Sequence, residues 1–84
     1  MIVRVLLWSV AEADVSLDAL RELTEALDPL PAPGGWLSND VHERFGALLL
    51  LDEDELDRTP PQIAEVRSLL GRDPDLFDEF DLLR

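Results

Sequence analysis

The feature that most constrains this chain is a pair of strands that are apolar on both faces, in a molecule with too few helices to cover them. Ile2 to Val10 reads IVRVLLWSV, and Phe45 to Leu51 reads FGALLLL. In a strand, alternate residues point to opposite sides. Val3, Val5, Leu7 and Ser9 therefore face one way, and Arg4, Leu6, Trp8 and Val10 the other. A strand that is apolar on both sides belongs in the middle of a sheet. Only two segments have helical periodicity. Leu17, Leu20, Leu23 and Leu27 recur behind Ser16, a good N-cap, with Asp18 in the first turn, and Pro29, Pro31 and Pro33 force a stop near Asp28. Ile63, Val66, Leu69 and Leu70 form the second apolar stripe. There Thr59 is placed to cap, Pro60 to occupy the first helical position, Gln62 to complete a capping box, and Gly71 to end the helix.

Two weaker strands complete the chain. Gly34 and Gly35 open one that runs from Trp36 to Asn39, and Asp40 to Glu43 turns it back into the Phe45 strand as a hairpin. Leu76 to Leu83 is charged and partly alternating. The order β, α, β, β, α, β predicts one α+β domain over residues 1–84, a ferredoxin-like fold with a four-stranded antiparallel sheet. Its first and third strands lie centrally and its glycine- and aspartate-bearing strands lie at the edges. Two helices cover one face of such a sheet. The other face is left apolar, which predicts a homodimer that packs sheet face on sheet face, a dimeric α+β barrel.

Composition narrows the function classes. The chain has 84 residues, 19 acidic against 7 basic, a net charge of −12 and no cysteine. A surface this negative repels phosphate backbones and anionic lipids, so neither nucleic acid nor membrane is an expected partner. The absence of cysteine excludes disulfides, thiolate metal sites and a cysteine nucleophile. The apolar run from Val5 to Val10 is too short to span a bilayer, and the first residues lack the pattern of a signal peptide, so a cytoplasmic location is expected. Arg4, inside a buried strand, needs a partner, with Asp78 or Glu79 of the last strand the expected one. The acids from Asp52 to Asp57 match no calcium loop and read as a solvated connector. Ser38, Asp40 and His42 lack the support that a serine nucleophile requires.

The stretch richest in chemical groups is Trp36 to Arg44. It holds one of two tryptophans, the single histidine His42, the single asparagine Asn39, and Arg44. It reads either as an ordinary edge hairpin or as a pocket wall, with an apolar platform, hydrogen-bond donors and a base that titrates near neutrality. Alternation places Trp36 and Ser38 on one side and Leu37 and Asn39 on the other, so these residues cannot all converge on one ligand.

Trp36-Leu37-Ser38-Asn39, then Glu43 to Leu50, the acidic segment and Asp78 to Leu82 together resemble the YdhR-like mono-oxygenases. Those are close in fold to the antibiotic-biosynthesis monooxygenases of the dimeric α+β barrel superfamily. The resemblance implies a pocket between sheet and helices and a hydrophobic polyketide or aromatic substrate. It also implies an oxygenase chemistry without metal, flavin or other cofactor, in which a deprotonated substrate reduces dioxygen directly. Under it His42 or a carboxylate is the base, Asn39 and Arg44 steady the oxyanion, and Trp36, Trp8 and Phe45 hold the ring system. A cyclase using the same cavity and a non-catalytic dimeric binding or accessory protein remain open beside it.

Overall fold

The computed structural model describes residues 1–11 and 13–83. β1 (Ile2–Ser9) leads into α1 (Leu17–Ala26), whose N-terminus is capped as the sequence predicts: Ser16 Oγ accepts the Ala19 N–H at 3.1 Å. α1 ends at Leu27, which returns to extended backbone ahead of the prolines. β2 (Gly34–Asn39) and β3 (Arg44–Leu51) form the hairpin, a short 3₁₀ turn follows (Glu53–Glu55), and α2 (Pro61–Leu70) precedes β4 (Leu76–Asp81).

The start of α2 differs from expectation. The helix begins one residue later, with Pro60 in the capping position and no side chain serving as the cap. Gln62 instead reaches across to donate to the carbonyls of Asp28 and Pro29, at 3.3 and 3.1 Å. A tertiary partner took the side chain that local capping would have used. Reciprocal capping occurs in the acidic segment instead, where Glu55 Oε1 accepts the Asp52 N–H at 3.0 Å. The other end of α2 follows the sequence: Gly71 adopts φ 71°, a left-handed conformation in which glycine carries no Cβ penalty.

The strands lie in the order β2-β3-β1-β4, and each neighbouring pair is antiparallel. This is the ferredoxin-like arrangement, with the two most apolar strands in the centre. Both helices pack on one face. Leu20 of α1 and Ile63 and Val66 of α2 close over Leu6, Trp8, Phe45, Ala47 and Leu49, all buried. The residues between these on the same strands point away from the helices. Val3, Val5, Leu7, Leu48 and Leu50 are part-exposed, and Leu37, Leu76 and Phe80 at the edges are exposed. Gly46 sits among them because β3 runs so close to β1 there that a Cβ would lie 1.8 Å from the Leu6 carbonyl oxygen.

Candidate functional site

The side chains that define a site are set by how the loop after α2 is fastened to β1. Trp8 is fully buried, and its indole N–H donates to the Arg72 carbonyl at 3.0 Å. The Arg72 guanidinium donates back to the Ser9 carbonyl. Asp75 Oδ2 accepts the Ser9 N–H at 2.7 Å and lies 3.3 Å from the Arg72 guanidinium. The β1–β4 pairing ends at Leu7 and Leu76, so the Asp75 carboxylate supplies the next rung of the ladder. With the loop held, a cleft of about 310 Å³ opens between α2 and β4. Its walls are Leu6, Trp8, Ile63, Pro74 and Phe77, and its rim carries Thr59 and the Arg67–Asp73 ion pair.

Phe77 owes its position to Arg4, the one buried charge among the described residues. Arg4 sits on the helix side of β1, opposite Glu79 of β4, and its guanidinium lies 5.3 Å from the centre of the Phe77 ring. It donates to Glu79 at 3.2 Å, which bears out one of the two expected partners; Asp78 lies on the opposite face of β4. It also donates to the carbonyls of Leu56 and Arg58, which anchors the acidic connector to the sheet. The cleft thus has an apolar interior and a charged mouth, at the lower end of the size range of small-molecule sites. Among the described residues Asp73 is the one carboxylate on its lining, and Arg67 pairs with it.

The residues singled out by sequence are distributed over four places. Trp8 lines the cleft. Trp36 is part-buried on the helix side and stacks on the buried Phe45, with ring centres 5.6 Å apart and planes at 23°. Trp36 also borders a separate open groove of about 420 Å³ beside Leu27, Pro29 and Pro33. Asn39 and His42 meet at the hairpin tip, where Asn39 Oδ1 accepts the His42 N–H at 3.0 Å. This closes a turn completed by Glu43 at φ 49°. Arg44 is exposed on the face away from the helices, between Ser9 and Asn39 in the ladder. The aromatic residues and the polar trio therefore lie on different sides of the sheet or at its tip.

Arg21 on α1 explains the polar residues around the hairpin. It donates to Asp40 at 2.6 Å, to Asp18 at 3.0 Å and to Ser38 Oγ at 3.4 Å. The hydrogen bond to Asp40, more than that to Asp18, raises the guanidinium pKa further and keeps it charged. Ser38 is thus part of a clamp between helix and hairpin. Asp52, Asp54 and Glu55 bring carboxylate oxygens within 4.8 Å of one another on the turn after β3, a largely exposed acidic cluster that is not by itself a metal centre.

Sequence reasoning missed Ile63, Asp73 and Phe77 as cleft residues. The signal for Phe77 was present in the strand pairing, which sets it opposite Leu6 on the helix side. No protein-family model matches the chain, and no curated protein matches it. Among the described residues, no helix is long and apolar enough to cross a membrane.

Proposed function

We propose that this chain is a homodimeric binding protein for a small hydrophobic molecule, two copies packing their bare sheet faces together and each holding a one- or two-ring ligand in the α2/β4 cleft. The observation that carries the reading is the cleft itself. Buried Leu6, Trp8 and Ile63 form its floor, Phe77 stays half-exposed at its wall, and the polar groups are confined to the rim. That arrangement desolvates an aromatic ligand and leaves water or a polar substituent at the mouth. The dimer is supported by the apolar residues of both central strands that neither helix covers.

The cofactor-free oxygenase implied by the family resemblance is the rival use of the same fold, and cyclisation without dioxygen is its variant. Both need a base and oxyanion donors beside the ligand. His42, Asn39 and Arg44 lie away from the cleft, and among the described residues Asp73 is the one carboxylate on its lining. This distribution favours binding over turnover.

A Trp36→Phe background leaves Trp8 as the sole tryptophan, and titration with a neutral two-ring probe such as 1-naphthol then reads the cleft directly. Saturable quenching that Phe77→Asp abolishes, with the circular dichroism unchanged, is the expected result. Quenching that survives Phe77→Asp, or none up to the solubility limit of naphthol, would sink the binding reading. Oxygen uptake with an anthrone in chelator-treated buffer, lost on Asp73→Asn, would replace it with the oxygenase reading.

A further inference from the structure

The bare face of the sheet carries two charges of opposite sign, and among the described residues neither forms an ion pair within its own chain. On this face β1 contributes Val3, Val5, Leu7 and Ser9, all uncharged. Arg44 opens β3 opposite Ser9, and Asp78 lies in β4 opposite Val5. Among the described residues neither forms a salt bridge; Asp78 Oδ1 only accepts the N–H of its neighbour Glu79, at 2.9 Å. Ladder geometry sets them about 14 Å apart along the strands and about 10 Å apart across them, too far to pair within one protomer.

We infer that Arg44 of each copy pairs with Asp78 of the other, and that this pair of contacts sets the register of the homodimer, an inference that rests on the sheet-face dimer proposed above. An isologous interface must be complementary to itself: whatever one copy presents, the same patch on the other must satisfy. One positive and one negative corner, flanking an apolar centre, meet that condition. They also suit a chain of net charge −12, for which an unselective acidic contact is repulsive.

The placement specifies a geometry. The midpoint of the Arg44–Asp78 diagonal falls beside Leu7, and the length of the arginine side chain lets a twofold axis pass between Leu7 and Val5. An axis in the interface, perpendicular to that diagonal, brings each Arg44 to the other copy's Asp78. It crosses the strands of the two sheets at about 70°, near the orthogonal class of sheet packing. The residue without a side chain, Gly46, then leaves a depression near the axis for an apolar side chain of the second copy.

Sedimentation equilibrium on the intact chain tests the pairing by charge reversal. Arg44→Asp and Asp78→Arg should each weaken dimerisation about tenfold or more, because each reversal acts twice in a twofold dimer and sets like charges together. The double reversal should return the dissociation constant to within about threefold of the parent. If either reversal unfolds the chain, Arg44→Gln and Asp78→Asn remove the same charges, and each should weaken the dimer. A parent dimer unaffected by the single changes, or a double reversal no better than the singles, overturns the Arg44–Asp78 register and leaves the dimer standing. A parent that stays monomeric at the highest attainable concentration overturns both.

Discussion

The two faces of this sheet are built from the same strands, often from adjacent residues, and they differ in what they bury. On the helix side, Trp8, Phe45, Ala47 and Leu49 are shielded from water almost completely. One residue along, Leu7, Leu48 and Leu50 form a surface that is just as apolar but part-exposed. The closed face carries all the aromatic residues of the central strands and the buried arginine, with every guanidinium contact to the acidic connector or β4. The open face carries aliphatics on its central strands and Phe80 at one edge, with Arg44 and Asp78 near its margin. Hydrophobicity alone therefore does not determine burial in this chain. What decides is which face receives the two helices; the remaining face stays part-exposed in the single chain.

Substitutions at neighbouring positions should separate the faces sharply. Ala47→Asp places a carboxylate where no water reaches, and it should cost several kcal/mol, enough to prevent folding; circular dichroism would show an unfolded chain. Trp8→Ala comes next, with a loss of about 3–5 kcal/mol in urea denaturation from the emptied core volume, along with the hydrogen bond to the loop after α2. Arg4→Met keeps much of the apolar stem but strands Glu79 and two carbonyls, which should cost about 1–3 kcal/mol and loosen the segment after β3 in hydrogen exchange. Leu48→Asp, one residue from Ala47, should leave protomer stability within about 1 kcal/mol while it abolishes dimerisation. A Leu48→Asp chain that unfolds as completely as Ala47→Asp would show that the open face is not open.

Much of the fold was legible in the sequence, because the signals behind it are local and redundant. Two-sided apolarity marked β1 and β3 as central, Ser16 marked the start of α1, the prolines its end, and Gly71 the end of α2. The start of α2 was misplaced because a distant carbonyl pair, at Asp28 and Pro29, competes for Gln62. The site was harder to read. A cluster of chemically versatile residues from Trp36 to Arg44 is contiguous in the chain, but strand alternation and the tip of the hairpin point its members in different directions. Phe77, by contrast, carries no chemical signature. It becomes a cleft wall because β4 pairs with β1 and because Arg4 lies over its ring.

By itself the sequence determined the number and order of elements, the central position of two strands, and the existence of an apolar face beyond the reach of two helices. These follow from residue periodicity and from counting what is available to cover what. Only the tertiary structure decided where a pocket could form and which side chains meet. Those depend on register: a shift of one residue along a strand sends a side chain to the opposite face, and nothing in the local chain distinguishes Trp8 as a cleft wall from Trp36 as the cover over Phe45.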